Sequence, residues 1–284
     1  MILVTGATGP VGSQVVAQLT EAKVAVRALT RDPKAARFTP EVEVVAGDLA
    51  DQESLRKALD GVDRLFALMP TFGKPGGRTY DRNLAQAAAA AKVGHIVRLS
   101  VLAAENPQAA DPHTAYHLNG EREVRDSGIP WTFLRPGQFM TNALSWAETV
   151  KSEGLVREPY AHNKQAPIDP ADIAACAVGV LTSDGHEGRA YPLSGPEALN
   201  IEEQDECLGE VLGREINVIN VPPDVARAEW LEEVYPEMMV DGILKHMGDE
   251  NGIHGKVFPH VEMLAGRPAR TFREWAAENA DSFR

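Results

Sequence analysis

The sequence predicts an α/β fold in which a doubly wound parallel sheet is accompanied by a smaller, mainly helical C-terminal lobe. Short apolar runs alternate with helix-like segments through the first half of the chain. This alternation is typical of a parallel sheet whose two faces are covered by right-handed crossovers. Several of the runs are apolar at nearly every position, as expected for strands that are buried on both faces.

The same pattern places the individual elements. We predict strands at residues 2–5, 24–30, 42–47, 64–68, 96–100, 131–135 and 189–194. We predict helices at residues 11–20, 54–59, 80–91, 114–126, 138–152, 170–181, 223–247 and 271–283. Residues 153–167 are rich in polar residues and proline and are expected to be irregular. We therefore divide the chain into residues 1–152 and residues 153–284, with one strand and one helix of the second part returning to the sheet.

The composition is that of an ordinary globular protein. The chain has 284 residues, of which 44% are hydrophobic and 24% are charged. Its net charge of −13 argues against binding to nucleic acid, because phosphates would be repelled. No apolar stretch has the length of a membrane span, and the first predicted strand leaves no room for a targeting peptide. We expect a cytoplasmic protein with a small-molecule substrate, and a homodimer is left open.

The two cysteines give no indication of metal or disulfide chemistry. Cys176 lies in an apolar run and Cys207 in an amphipathic segment, and neither has a metal-ligand partner at close spacing. Both are predicted to be reduced core residues, with a disulfide between them as the alternative. No metal site is predicted.

A glycine-rich turn follows the first predicted strand and opens the first predicted helix. Its residues are Gly6, Ala7, Thr8, Gly9, Pro10, Val11 and Gly12. In such turns the glycines allow a tight bend, close approach of the backbone to a pyrophosphate, and packing of the helix on the strand, while helix N–H groups face the phosphates. The strand–turn–helix context predicts a Rossmann-type dinucleotide-binding domain in residues 1–152. A purely structural turn is the alternative.

The end of the second strand indicates which nicotinamide cofactor is bound. Enzymes that use NAD usually carry an acidic residue there, which binds the ribose hydroxyls. This chain has Arg31 instead, with Lys34 close by. Because a guanidinium can bind the 2′-phosphate through charge-assisted hydrogen bonds, we predict NADP(H). Asp32 adjoins Arg31, so NAD(H) stays open, and a solvated loop cation is the other interpretation of Arg31.

Asp48 and Leu49 follow the third predicted strand. A carboxylate at this point can accept a hydrogen bond from the adenine amino group, so we assign both residues to the cofactor site. A helix cap or turn former is an equal alternative for Asp48.

Several segments of the chain together resemble one family. They are residues 6–12, 26–33, 127–137, 139–142, 168–169 with 172–174, 193–197, and 270–272 with Trp275. By these segments, which span almost the whole chain, the sequence resembles an atypical short-chain dehydrogenase/reductase of the NmrA-like group. That group includes NADPH-dependent quinone and azo reductases. The motifs are specific for the group and not for one substrate.

The resemblance implies further contacts with the cofactor and the substrate. Leu68, Met69 and Pro70 are expected to pass along the ribose side of the cofactor. The backbone from Pro136 to Phe139 is expected to enclose the nicotinamide carboxamide. The candidate residues of the substrate pocket are Phe139, Asn142 and Trp146, for each of which ordinary packing is an equal alternative.

The catalytic set departs from that of ordinary short-chain dehydrogenases. Those enzymes use a serine after the fifth strand, and a tyrosine and a lysine one helical turn apart, so that the ammonium lowers the pKa of the phenol. Here Ser100, which we assign to the cofactor site, and Tyr116 are in place, but Gly120 occupies the lysine position. His117 could donate a proton near neutral pH. Tyr116 and His117 are thus the candidate catalytic residues, although adjacent residues diverge around a helix and structural roles are equally open.

Tyr160 and Lys164 repeat the tyrosine–lysine spacing elsewhere in the chain. They follow Pro159 in the irregular segment, far from the fifth strand, so nothing presents them on one helix face. We do not expect them to be the catalytic pair.

The missing lysine favours acceptors that stabilise, without an acid from the protein, the anion formed by hydride transfer. A quinone accepts hydride as a stabilised phenolate and can take its proton from water, whereas an unactivated ketone needs an acid. We therefore expect an NAD(P)H-dependent reductase of quinones, azo compounds or similar electron-poor acceptors. A non-enzymatic sensor of NADP(H) is the alternative. An epimerase of sugar nucleotides is a weaker third, since it relies on the tyrosine–lysine pair.

Overall fold

A seven-stranded parallel sheet organises the protein. We describe residues 1–70, 77–109, 111–232, 237–249 and 252–284 of a computed structural model. The strands in these residues are β1 (Ile2–Val4), β2 (Val26–Thr30), β3 (Glu43–Ala46), β4 (Arg64–Ala67), β5 (His95–Leu99), β6 (Trp131–Pro136), β7 (Leu155–Glu158), β8 (Arg189–Leu193) and β9 (Asn217–Asn220). The order in the large sheet is β3-β2-β1-β4-β5-β6-β8, and β7 pairs with β9 in a separate parallel ribbon.

Helices cover both faces of the sheet. In the described residues they are α1 (Pro10–Glu21), α2 (Gln52–Ala58), α3 (Gly77–Ala90), α4 (Pro112–Asp126), α5 (Ala147–Glu153), α6 (Pro170–Thr182), α7 (Ile201–Leu212), α8 (Pro223–Glu232), α9 (Glu237–Met247), α10 (His260–Ala265) and α11 (Phe272–Glu278). One apolar cluster joins α1, α6 and α10 to one face of the sheet, and a second joins α2, α3 and α4 to the other. The predicted doubly wound α/β fold is confirmed.

The strand order places a crevice beside β1. The chain winds outward from β1 through β2 and β3, and then returns to β4 on the other side of β1. In open parallel sheets, ligands bind at such a reversal, outside the carboxyl ends of the strands. The glycine-rich turn leaves β1 at this end of the sheet.

Local sequence signals fix where several helices begin. Pro10 is the first residue of α1, where its missing N–H is not needed. The side chain of Asp51 accepts a hydrogen bond from the backbone N–H of Glu53 and caps α2. Asp111 caps α4 in the same way, through the N–H groups of His113 and Thr114.

One predicted helix is wrong at its start. Residues 138–152 begin with an extended stretch, followed by a 3-10 segment over Met140–Trp146 and then by α5. The cause is a tertiary contact: Phe139 forms a bridge with Ile168, and the N–H of Met140 donates to the carbonyl of Ile168 at 2.9 Å. This pairing holds the backbone before Met140 outside the helical region.

The lobe also differs from its prediction. Residues 153–167 contain β7, and the predicted mainly helical lobe contains its partner β9. The predicted helix 223–247 is described as α8 and α9, and residues 233–236 lie outside the described part. The predicted helix 271–283 consists of α11 and a 3-10 segment, Ala280–Phe283, because Asn279 donates its side-chain amide to the carbonyl of Trp275 and ends α11.

Helix α6 and strand β8 return to the large sheet from the second part of the chain, and the division at residue 152 stays a prediction. Both cysteines are free, as predicted; Cys176 is buried in the sheet core and Cys207 is half-buried on α7. None of the described helices combines the length and the apolar content that crossing a membrane requires.

Candidate functional site

Two glycines of the glycine-rich turn, Gly6 and Gly12, have no space for a side chain. Gly6 has a φ of +62°, and a Cβ there would lie 2.6 Å from Cδ2 of Leu68. A Cβ on Gly12 would overlap the carbonyl oxygen of Gly6, which itself accepts a hydrogen bond from the N–H of Gly9 at 3.0 Å. Side chains are thereby excluded at positions 6 and 12. A turn that binds a dinucleotide pyrophosphate has this close packing, and the contacts of the individual turn residues with the cofactor stay predictions.

Thr5 ties the turn to the loop that follows β4. Its buried hydroxyl accepts from the N–H of Leu68 at 2.8 Å and donates to the carbonyl of Leu68 at 2.9 Å. The predicted ribose-side residue Leu68 is therefore held beside Gly6, and the half-buried Met69 and Pro70 follow it. The structure thus brings the turn and the 68–70 segment together.

The charged residues after β2 form an exposed edge of the crevice. The carboxylate of Asp32 accepts from the backbone N–H groups of Lys34 at 3.0 Å and Ala35 at 3.3 Å, so it is engaged in a local turn. Arg31 and Lys34 are exposed, and Arg31 forms no ion pair with any described residue. Arg31 is therefore available for a phosphate, and its role in cofactor binding stays a prediction.

Asp48 acts as a turn former, which is the alternative to an adenine contact given above. Its carboxylate accepts from the N–H of Ala50 at 2.8 Å, and its own N–H donates to the hydroxyl of Ser54 at 3.0 Å. The side chain is exposed, and the adenine contact of Asp48 and Leu49 stays a prediction.

A buried guanidinium fills the space that a side chain at position 120 would need. A Cβ on Gly120 would overlap Nη2 of Arg98 and Oδ2 of Asp81, and would lie 2.7 Å from Cζ of Arg98. Arg98 is fully buried and forms two hydrogen bonds with Asp81, at 2.8 and 3.0 Å. The lysine is therefore replaced in space by a cation from β5, and that cation is already paired with a carboxylate from α3.

Neither candidate catalytic residue is an activated acid. Burial, with the negative charge of Asp81, raises the pKa of Tyr116 to about 12, although Arg98 acts in the opposite direction. Burial, reinforced by the positive charge of Arg98, holds the pKa of His117 well below its usual 6.5, so the imidazole is neutral near pH 7. Their rings touch edge-to-face, with centroids 5.3 Å apart. Their catalytic role stays a prediction.

Ser100 is engaged in a buried ionic network. Its hydroxyl donates to Oε1 of Glu121 at 2.7 Å, and the guanidinium of Arg135 donates to both oxygens of the same carboxylate at 2.9 and 2.6 Å. Burial opposes ionisation of Glu121, but the hydrogen bonds and the charge of Arg135 outweigh it and hold the pKa of the carboxyl below its usual 4.5. The serine therefore fastens β5 to α4 and β6, and its assignment to the cofactor is untested.

The predicted substrate residues have three different environments. Phe139 is half-buried beside Ile168, and Asn142 is exposed. Trp146 is 4% exposed in the apolar core of the lobe, and its indole N–H donates to Glu158 at 2.7 Å. Trp146 is packed in the lobe, and Phe139 lies just beyond Pro136 at the carboxyl end of β6. The substrate roles of the three residues stay predictions.

Tyr160 and Lys164 do not share a helix face, as predicted. Tyr160 lies in a turn with a φ of +53°, and Nζ of Lys164 lies 2.9 Å from the carboxylate of Glu203.

Sequence reasoning missed the roles of Arg98, Asp81 and Glu121. A signal for Arg98 was present, because a charged residue in a strand buried on both faces must be paired. Its partner is 17 residues away on another element, so the sequence alone does not identify it.

Comparisons with known proteins agree with this geometry. The model of the NmrA-like family matches residues 1–275. The (4-alkanoyl-5-oxo-2,5-dihydrofuran-3-yl)methyl phosphate reductase of Streptomyces griseus is 45% identical over 100% of this chain and 99% of its own. The NAD(P)H azoreductase of Xenophilus azovorans is 36% identical over 100% and 99%. The NADPH complex of the NADPH-dependent quinone oxidoreductase of Escherichia coli superposes with a TM-score of 0.85 at 28% identity, covering 98% of this chain and 99% of that chain.

These findings confirm the predicted family, the Rossmann-type fold and NAD(P)H as the cofactor. They also favour an NAD(P)H-dependent reductase over a sensor without turnover.

Proposed function

Because the chain belongs to the NmrA-like family, we propose that it reduces a conjugated, electron-poor acceptor with hydride from NADPH. The observation that carries this proposal is the state of Tyr116 and its surroundings. The phenol has a pKa of about 12, and the nearest cation, Arg98, is neutralised by Asp81. The negative charge that hydride transfer creates must then be held by the acceptor itself.

The described residues fit the dinucleotide. The turn packs too closely at Gly6 and Gly12 for side chains, as expected of a turn whose backbone approaches a pyrophosphate. Arg31 is free to bind a 2′-phosphate, and Leu68 is held beside the turn by Thr5. When bound, NADPH supplies the hydride. The chain must hold the acceptor against the nicotinamide, with roughly 3–3.5 Å between the reacting atoms.

Proton delivery distinguishes the acceptor classes. An alkene conjugated with carbonyl groups takes hydride at one carbon, and the electron pair moves to a carbonyl oxygen as an enolate. A quinone forms a phenolate in the same way. Either product takes its proton from water, so a strong acid in the site is not needed. A simple ketone would give a basic alkoxide and would need an acid such as an activated tyrosine.

The 45% identical relative indicates which conjugated acceptor should be tested first. Its name describes a dihydrofuranone ring whose double bond bears both the lactone carbonyl and an alkanoyl group, together with a phosphate ester. Such an alkene is strongly electron-poor. We propose acylated dihydrofuranones as the first acceptor class for this chain, and quinones and azo compounds as the second. A cytoplasmic location and a homodimer remain predictions from the sequence.

The experiment follows NADPH absorbance with an acceptor panel. The panel contains an alkanoyl dihydrofuranone with and without its phosphate, a benzoquinone, an azo dye and a simple ketone. We expect turnover with the conjugated acceptors and none with the ketone. The control is Gly9→Asp, which adds bulk and negative charge beside the pyrophosphate and should abolish turnover without unfolding. Tight NADPH binding without turnover of any acceptor would support the sensor instead, and rapid reduction of the ketone would contradict the proposed acceptor class.

A further inference from the structure

A cluster of histidines surrounds the start of α4, where α9 of the lobe packs on it. Ligand-type atoms of Asp111, His113 and His246 all lie within 4.8 Å of one another. Oδ2 of Asp111 lies 3.0 Å from Nε2 of His246. We propose that Asp111, His113 and His246 form a binding site for a divalent transition-metal ion, with Zn²⁺ as the best match. This site is separate from the glycine-rich turn and does not depend on the proposed reductase activity.

The donor set matches the chemistry of zinc. Two imidazoles and one carboxylate are ligands that Zn²⁺ prefers, at about 2.0–2.1 Å in tetrahedral geometry. Two ligands of such an ion lie about 3.3 Å apart. The 3.0 Å between Asp111 and His246 is already close to this edge length. The ligand atom of His113 also lies within 4.8 Å of the other two, so an ion would have to draw it closer by about 1.5 Å at most.

Neighbouring groups orient the carboxylate. Oδ1 of Asp111 accepts from the backbone N–H groups of His113 at 2.8 Å and Thr114 at 3.0 Å, and the hydroxyl of Thr114 donates to Oδ2 at 2.7 Å. Hydrogen-bonded partners that fix a ligand in this way are typical of metal sites. The capping role of Oδ1 leaves Oδ2 directed toward His246.

His254 lies beside His246 at the edge of this cluster. Its ring centroid is 4.8 Å from that of His246, and its Nε2 is buried without a hydrogen-bond partner among the described residues. A buried polar atom without a partner is costly.

Gly242 allows the two helices to approach closely. It precedes His246 by one helical turn on α9, and a Cβ there would lie 3.0 Å from Cβ of His113 and 3.1 Å from Oδ1 of Asp111. An alanine would require the side chains of His113 and Asp111 to shift by a few tenths of an ångström. A metal held by both helices would fasten the lobe to the helix that carries Tyr116.

The test is direct metal binding by untagged, metal-free protein. Titration calorimetry with Zn²⁺ should show one site per chain, and Co²⁺ should give the visible absorption of a tetrahedral ion. His246→Ala and Asp111→Asn should each weaken binding at least about tenfold, the loss seen even for outer partners of metal ligands. Gly242→Ala should weaken it as well, because the ligands are moved apart. The matched control is His162→Ala, whose side chain is 70% exposed beside Glu202, and it should bind like the unmodified protein.

Asp111→Asn keeps an oxygen that can cap α4, so it remains informative if His246→Ala does not fold. Circular dichroism of the metal-free variants separates loss of a ligand from loss of structure. Binding by Asp111→Asn and His246→Ala that equals binding by the unmodified protein would overturn the proposal, as would absence of a Zn²⁺ complex at millimolar metal. Selective loss in these two variants, with His162→Ala unaffected, would support it.

Discussion

A buried carboxyl group in the lobe makes the stability of the protein depend on pH. Glu158 accepts a hydrogen bond from the indole of Trp146, and burial raises the pKa of its carboxyl from the usual 4.5 to about 7. Below pH 4.5 both the folded and the unfolded chain hold this proton, so the group costs nothing. As pH rises from 4.5 to 7, the unfolded chain releases the proton first and the folded state loses stability. The difference between 7 and 4.5, at about 1.4 kcal/mol per pH unit, is about 3 kcal/mol.

Glu158→Gln should remove this cost, because glutamine keeps an oxygen for Trp146 and does not ionise. We expect the variant to be more stable than the unmodified protein by up to about 3 kcal/mol near pH 8, and nearly equal to it at pH 4.5. The measurement is urea denaturation at both pH values, followed by circular dichroism. Glu148→Gln, at an exposed position on α5, is the control and should show no such change. A stability difference for Glu158→Gln that is the same at both pH values would refute the reasoning.

Three further predictions concern the cofactor and the mechanism. Arg31→Ala should weaken NADPH binding by about 10- to 100-fold in titration calorimetry and leave NADH binding unchanged, whereas the nearby exposed Arg37→Ala should have little effect; equal losses for both cofactors would exclude a phosphate contact. Gly12→Ala should destabilise the fold by about 1–3 kcal/mol and abolish NADPH binding, because its methyl group overlaps the backbone of the turn. The control is Gly9→Ala, whose Cβ lies 3.4 Å from its nearest neighbour and which should unfold at the same urea concentration as the unmodified protein. Tyr116→Phe should lower kcat less than about tenfold with a conjugated acceptor, and a thousandfold fall would show that the phenol is a required acid.

The sequence was sufficient for elements whose signal is local. Strands β1, β2, β4, β5 and β6 are mainly apolar and largely buried in one sheet, whereas β3 is half-exposed at its edge. The caps at Pro10 and Asp51 act within a few residues of themselves. Strands β7 and β9 were missed because each has four residues, half of them polar, and because their pairing joins segments about 60 residues apart. The start of the predicted helix 138–152 failed for a similar reason, since a bridge to Ile168 decides its backbone.

The candidate site likewise has a part that is local in the sequence and a part that only the fold brings together. The glycine-rich turn is contiguous in sequence, so its glycine spacing could be interpreted directly. The pair of Arg98 and Asp81 joins β5 to α3, and the histidine cluster joins residue 111 to residue 246. In each set the residues are too far apart in the sequence to be recognised as a motif. Only the fold brings these groups together, and for this reason the environment of Tyr116 could not be derived from the missing lysine alone.

The packing at Gly120 also has an evolutionary consequence. A single Gly120→Lys change would place a second cation against the buried Arg98, and its Cβ would overlap that guanidinium. Prior loss of Arg98 would leave Asp81 as an unpaired buried charge, at a cost of about 3–5 kcal/mol. A typical domain has a total stability of only about 5–15 kcal/mol. Acquisition of a tyrosine–lysine pair by single substitutions at these positions would therefore have to pass through poorly folded intermediates.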